Sequence, residues 1–298
     1  MRTFNKALLI YNKLAGDADV EAKLAAVVPV LGKAVKELTM ISPESTAEMR
    51  QICEKAGEME LVVIMGGDGT VHQGIDVISK LEERPLIAIL PGGTSNDFTR
   101  TLGIPQNLGD AVEALLTGEI QAIDIGKEGN RHFINFWGIG LVADTSENID
   151  EDQKKSYGPL SYMASTVRTI REAESFPFHI VSEGVDIHGE AIAIFVLNGK
   201  SLATTPIPIA AISPSDGKLD VLVVKNSNLA MLRELVSLRK PETNNEQLNL
   251  LEYIQVSELH IDAPSQQKVD MDGELYDVQS GKIEVLPGHL RMLVPILK

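Results

Sequence analysis

The chain has 298 residues, 44% hydrophobic and 23% charged, the balance of an ordinary folded protein with length for about two domains. A formal net charge of −15 excludes a general affinity for nucleic acid and disfavours long-range attraction to anionic lipid surfaces. Cys53 is the only cysteine, which excludes an internal disulfide and a cysteine zinc site and fits a reducing, cytoplasmic setting.

The first apolar run, within Lys6–Tyr11, is too short for a signal-peptide core. The longest runs, such as Ala191–Leu197, fall far below the roughly 20 residues of a spanning helix. From Lys6 onward, short apolar runs alternate with segments of helical period: KALLIY, Val20–Lys33, ELTMI, Thr46–Ala56, LVVIM, Val71–Leu81 and LIAIL. Strands this uniformly apolar have no wet face, so the order predicts a doubly wound α/β domain with a mostly parallel sheet over residues 1–126.

Beyond Gly126 the texture changes to extended segments broken by turn residues: HFINFWGIG, FPFHIV, VDIHGEAIAIFVLNG, KLDVLVV, YIQVSELHID and KIEVLP. These predict a β-sandwich domain over residues 127–288, with helices at Pro159–Ala173 and Asn228–Lys240 and with residues 289–298 rejoining the first domain. The second helix is expected to pack on its own sheet rather than lie on a bilayer.

Gly66-Gly67-Asp68-Gly69-Thr70 follows the strand Leu61–Met65 and precedes a helix. Glycines let backbone approach a ligand closely, and a helix N-terminus offers free N–H groups and a positive dipole end, so the segment reads as a phosphate cradle. Asp68 would be repelled by phosphate unless a cation stood between them, which points to Mg²⁺. The plainer reading is a tight turn with Thr70 as N-cap and Gln73 completing a capping box. Pro91–Asp97 repeats the arrangement after Leu86–Leu90, bringing Thr94, Asn96 and Asp97 to the same sheet edge; its plainer reading is a cap formed by Thr94 and Asp97. A third loop, Asn12-Lys13-Leu14-Ala15-Gly16, follows the first strand at that edge.

With GGDGT followed by PGGTSNDF, the chain resembles the catalytic domain of diacylglycerol and sphingosine kinases, particularly the soluble bacterial lipid kinases. The likeness extends through Asn135, Gly158–Tyr162 (GPLSY), Asp216–Asp220 and Asp272–Glu274. It implies an α/β domain and a β-sandwich domain with a cleft between them, MgATP as phosphoryl donor, a lipid alcohol at a membrane surface as acceptor, phosphatidate-type products and a homodimer. Carried over residue by residue, Asn12, Lys13, Leu14, Ala15, Gly16, Ser42, Gly66, Gly67, Asp68, Gly69, Thr70, Val71, His72 and Thr94 look like nucleotide-binding positions, with Asn96 and Asp97 beside them. Asp216, with backbone groups near Ser213 and Lys218, looks like the site of a second, structural Mg²⁺. Glu274, or its neighbour Asp272, looks like the acceptor of the substrate's hydroxyl proton.

The chain departs from the family at three places. His72-Gln73 stand where the family usually has Asn-Glu, Lys13 and Ala15 where Pro and Ser are common, and KSLATTPIP (Lys200–Pro208) where a glycine cluster is usual. Two other functions remain open on these residues: a NAD kinase, which shares GGDGT and a β-rich second domain but has a further NE-type motif not found downstream here, and a non-catalytic nucleotide or lipid sensor. The six histidines include no i, i+4 pair on a helix, against zinc catalysis. Trp137 reads as packing, and Lys154–Tyr157 as a solvated turn.

Overall fold

The computed structural model describes residues 2–13, 20–140, 175–226, 228–240, 248–264, 268–277 and 281–296. Leu14, Ala15 and Gly16, the turn at 154–157, the GPLSY segment and the helix expected over 159–173 lie outside the described residues.

The first four strands are β1 (Phe4–Tyr11), β2 (Val35–Ile41), β3 (Leu61–Gly66) and β4 (Leu86–Pro91), all parallel in the order β2-β1-β3-β4. Every residue of β3 and β4 is buried, as expected of parallel strands covered on both faces. The covering helices are α1 (Val20–Ala34), α2 (Thr46–Glu54), α3 (Asp68–Ile78), the short α4 (Asp97–Thr101) and α5 (Leu108–Thr117). Helix α5, absent from the sequence expectation, carries the usual signals: Asn107 accepts from the Asp110 N–H as N-cap, and Ala111, Val112, Leu115 and Leu116 form its buried face.

The remaining strands are β5 (Glu119–Glu128), β6 (Arg131–Phe133), β7 (Phe136–Gly140), β8 (Phe176–Ser182), β9 (Val185–Ala191), β10 (Ala193–Leu197), β11 (Ser201–Leu202), β12 (Thr205–Pro206), β13 (Leu219–Val224), β14 (Leu251–Val256), β15 (Glu258–Asp262), β16 (Lys268–Met271), β17 (Glu274–Asp277) and β18 (Gly281–Val294). An antiparallel sheet β14-β13-β10-β7-β16-β17 faces a second layer built from β18, β15, β8 and β9. Strand β8 shows the half-covered pattern, with Phe176, Phe178 and Ile180 inward and Pro177 and Val181 outward. Trp137 is buried between the layers with Ile139, Phe178, Val221 and Ile283. The outer face of the six-stranded sheet has its own apolar cluster under α6 (Leu229–Ser237), so this helix packs on its own sheet as expected.

The two domains share one sheet. Strand β18 is antiparallel to β15 at its start and to β5 along most of its length, and near its end Met292 pairs in parallel with Ile87 of β4. Gly126 falls inside β5 rather than between elements, because this shared strand carries hydrogen bonding across the junction.

Candidate active site

The C-terminal ends of β1, β3 and β4 bring three loops to one edge. Helix α3 begins at Asp68 with Gly67 as N-cap, three residues earlier than the capping-box reading requires, so Thr70 lies in the first turn and caps nothing. The Val71 N–H closes the first helical bond to the Gly67 carbonyl, leaving the N–H groups of Asp68, Gly69 and Thr70 outside the helical ladder and suited to an anion. Thr70 Oγ1 accepts from Asn12 Nδ2 at 3.3 Å, tying the first loop to the second.

Asp68 ties the second loop to the third. One oxygen accepts the Asn96 N–H at 2.9 Å and the other the Asp97 N–H at 2.7 Å. Asn96 is the N-cap of α4 in the left-handed region, φ 53°, which displaces the expected Thr94–Asp97 cap. Its side chain closes the loop on itself, accepting from the Gly93 N–H and donating to the Gly93 carbonyl, both at 2.9 Å. The glycines serve contact between the loops first: a Cβ on Gly93 would lie 2.4 Å from Gly67 Cα, and one on Gly92 2.7 Å from the Gly66 nitrogen. Thr94 is exposed on the rim, Lys13 is exposed after β1, and Ser42 directly follows β2. Lys23 of α1 donates to the Gly92 carbonyl at 2.8 Å, a cation at the cradle that no motif announced.

Asp97 reaches the other domain. It accepts the N–H groups of Ala203 and Thr204, both at 2.7 Å, and both residues hold positive φ (48° and 69°). The Lys200 N–H donates to Thr101 Oγ1 at 2.8 Å. The divergent Lys200–Pro208 segment is thus the strap by which the second domain holds α4.

Along α3, Asp68, His72 and Asp76 recur every four residues and share one face. Val71 packs into the core, whereas His72 is buried and points to the second domain rather than to the loops. Its Nδ1 lies 3.0 Å from Asp272 Oδ2 and its Nε2 2.8 Å from the Tyr276 hydroxyl. Asp76 accepts from the His132 N–H at 2.9 Å and from Lys80 Nζ at 2.7 Å, and lies 3.2 Å from His132 Nδ1. The Arg131 guanidinium sits 4.4 Å above the Tyr276 ring.

Asp272 and Glu274, the two candidates for a proton acceptor, have opposite surroundings. Asp272 is buried, with φ 53°, and accepts the backbone N–H groups of Ile134, Asn135 and Phe136, each at 2.8 Å, besides its contact with His72. Glu274 is partly exposed, and its Oε1 lies 2.7 Å from where a Cβ on Gly69 would stand. The second domain therefore lays a carboxylate directly on the glycine loop.

Burial raises Asp68 to about 6, helped by the charge of Asp97 and opposed by its backbone hydrogen bonds. Burial likewise raises Asp97 against its bonds from Thr204 and Ala203. For His72, burial pushes the pKa down, but the Asp272 hydrogen bond and the charges of Asp272, Asp76 and Glu274 together carry it above the ordinary value. Burial also opposes the charge on Asp76, yet hydrogen bonds from His132 and Lys80 hold it down to about 2.

Among the described residues no group of three or more His, Cys, Asp and Glu side chains is arranged to hold a metal ion. The donors at the loops are nevertheless hard oxygens, and two carboxylates destabilised by burial and, at Asp68, by Asp97's charge are a setting that a divalent cation would relieve, so the residues suit Mg²⁺. At the other expected metal position, Asp216 is exposed and accepts the Lys218 N–H at 3.1 Å in an Asx turn, with Ser213 three residues earlier. Asp220 beside it is buried with Oδ2 unpartnered, and its pKa is raised to about 6, by burial first and in part by the charge of Asp216. Asp124 pins the same turn, accepting the N–H groups of Gly217 and Gly288 at 2.7 Å each.

Two family models match: the diacylglycerol kinase catalytic domain over residues 6–128, and the YegS C-terminal NAD kinase beta sandwich-like domain over residues 138–294. A Staphylococcus haemolyticus protein named "Putative lipid kinase" is 31% identical over 296 residues, covering 97% of this chain and 96% of its own. A crystal structure from Bacillus anthracis described as "a putative diacylglycerol kinase" superposes with a TM-score of 0.86 at 35% identity, covering 99% of this chain and 98% of that one. A second from the same organism, described as a diacylglycerol kinase, gives 0.80 at 31% with the same coverage.

Proposed function

The chain belongs to the family that joins a diacylglycerol kinase catalytic domain to a YegS-type C-terminal domain, and from that footing we propose that it transfers the γ-phosphoryl group of MgATP to the hydroxyl of diacylglycerol, giving phosphatidate. The observation that carries the reading is the Glu274 carboxylate lying against Gly69, because it joins a proton acceptor from one domain to a phosphate-binding loop of the other.

In this reading the N–H groups at the start of α3 and the rim of Pro91–Asp97 hold the nucleotide phosphates, with Asn12, Lys13, Ser42 and Thr94 beside them. Asp68 and Asp97 hold Mg²⁺, which when bound neutralises charge on the phosphates. Glu274 takes the hydroxyl proton as the lipid oxygen bonds to the γ-phosphorus and the bond to the β–γ bridging oxygen breaks, releasing ADP. Asp272 is left to bind its own turn, since its oxygens already take three backbone N–H groups and the imidazole. Asp216, with Asp220 and backbone groups near Ser213 and Lys218, is the position for a structural Mg²⁺.

Residues 1–126 serve as the nucleotide domain and 127–288 as the lipid domain, with the C-terminal segment returning to the first; the pairing of Met292 with Ile87 supports that return. No helix among the described residues is long and apolar enough to cross a membrane; peripheral contact with the lipid surface from the cytoplasmic side is part of the proposed reading. A homodimer belongs to the same reading. Labelled ATP and Mg²⁺ should be offered with detergent-dispersed diacylglycerol, monoacylglycerol, ceramide, sphingosine and phosphatidylglycerol, and separately with NAD. Labelled phosphatidate is the expected product. Labelled NADP would replace the reading with a NAD kinase, and no product under any condition would leave a sensor.

A further inference from the structure

The hairpin that carries Glu274 is gripped at two points by one imidazole. Asp272 and Gly273, with φ of 53° and 95°, form the two-residue turn between β16 and β17, and Met271 pairs with Glu274 across it. Two positive φ values in succession are the backbone signature of a tight hairpin turn whose twist suits the strands. Glu274 is thus the first residue after the turn, with Asp272 two positions before it and Tyr276 two positions after. Side chains at 274 and 276 leave the strand on the same side. Both meet α3: Glu274 at Gly69, and Tyr276 one turn along at His72.

His72 is the residue of α3 that closes this contact. It is 2% exposed, and its two ring nitrogens reach Asp272 and Tyr276, one on each side of Glu274. Either protonation state serves: the Nδ1 proton goes to Asp272, and Nε2 either accepts from the tyrosine hydroxyl or donates to its oxygen. Gly69 and His72 are three residues apart on one helix, so fixing the hairpin at 272 and 276 fixes the height of Glu274 above the glycine loop.

We propose that His72 is a positioning residue, which sets the Glu274 carboxylate over the Gly66–Thr70 loop by clamping Asp272 and Tyr276. This rests on the reading of Glu274 as proton acceptor. A carboxylate displaced by about 1 Å from its working position costs on the order of a hundredfold in rate, whereas phosphate binding by the loop does not involve the imidazole.

The test compares purified full-length wild type, His72→Ala, Tyr276→Phe, Glu274→Gln and the double variant His72→Ala/Glu274→Gln, with MgATP and dispersed diacylglycerol, at a temperature well below each melting point. His72→Ala should lower kcat roughly ten- to a hundredfold with KM for ATP within about twofold. Tyr276→Phe should show the same split with a smaller loss, and it carries the test should His72→Ala fail to fold. The double variant should be no slower than Glu274→Gln, because a positioning residue has no further effect once the group it positions is gone. Unchanged kcat in folded His72→Ala or Tyr276→Phe, a loss expressed in KM for ATP, or an additive loss in the double variant would overturn the clamp while Glu274→Gln, if inactive, still upholds the proton-acceptor reading. Wild-type turnover in Glu274→Gln would instead overturn that reading, and the clamp with it.

Discussion

Two histidine–aspartate contacts in this molecule have nearly the same length and very different surroundings. His72 and Asp272 approach to 3.0 Å, both about 2% exposed, between helix α3 and the β16–β17 hairpin. His179 and Asp186 approach to 2.9 Å on the β8–β9 hairpin, 44% and 67% exposed. The first lies at the junction of two domains, and breaking it removes one of four hydrogen-bond partners of a buried carboxylate where water does not replace the lost partner. The second is solvated and screened, and either group has water as a ready substitute. Distance alone does not rank the two; burial and the separation in sequence that the contact spans do.

The sharpest way to break the comparison is to remove the buried carboxylate. Asp272→Ala strips the acceptor from the three N–H groups of Ile134, Asn135 and Phe136 as well as from His72. It should cost about 3–5 kcal/mol, the range for breaking a buried charged pair, read as a large fall in the denaturant midpoint at constant slope. A midpoint within error of wild type would mean that the buried network does not hold the junction. Glu274→Gln separates function from stability at the same hairpin: turnover should fall about a hundredfold or more with an unchanged melting curve. Normal turnover in that protein would place proton acceptance elsewhere.

Asp68 gives a smaller effect with a definite pH sign. Its carboxyl is raised from 3.8 to about 6 in the folded chain, chiefly by burial, so the folded state holds this proton more tightly than the unfolded one. Its contribution to stability is therefore fully present below pH 3.8 and is lost as pH rises through about 6. The melting temperature of wild type minus that of Asp68→Asn should fall between those values, carboxylates remote from Asp68 cancelling in the difference and those of Asp97 and Asp272 adding to it through their coupling to Asp68. A flat difference would show that the group is not desolvated. The smallest effect belongs to the exposed pair: His179→Ala should leave both melting temperature and turnover unchanged, and a clear loss of either would mean that the β8–β9 surface has a partner or function of its own.

Much of the architecture was legible in the chain. Uniformly apolar runs such as Leu61–Met65 and Leu86–Leu90 determined buried parallel strands, and the alternation in Phe176–Val181 determined a half-covered one, because side-chain period follows directly from backbone geometry. The glycine loops were recognisable by composition and place, strand before and helix after. What each residue does there was not. Gly93 and Gly67 are glycines in part because their backbones touch, Asp97 holds a strap more than a hundred residues away, and Asp272 serves as the anchor of a turn rather than a second free carboxylate. Helix α5 was legible too, since its Asn107 cap and its apolar face are local signals. The contact of His72 with Asp272 spans 200 residues, and the last strand, β18, pairs with β4. Local pattern is set by neighbours in the chain, whereas such contacts arise only when separate elements pack, so tertiary structure alone decided which carboxylate was buried, which faced the loop, and which imidazole stood between the domains.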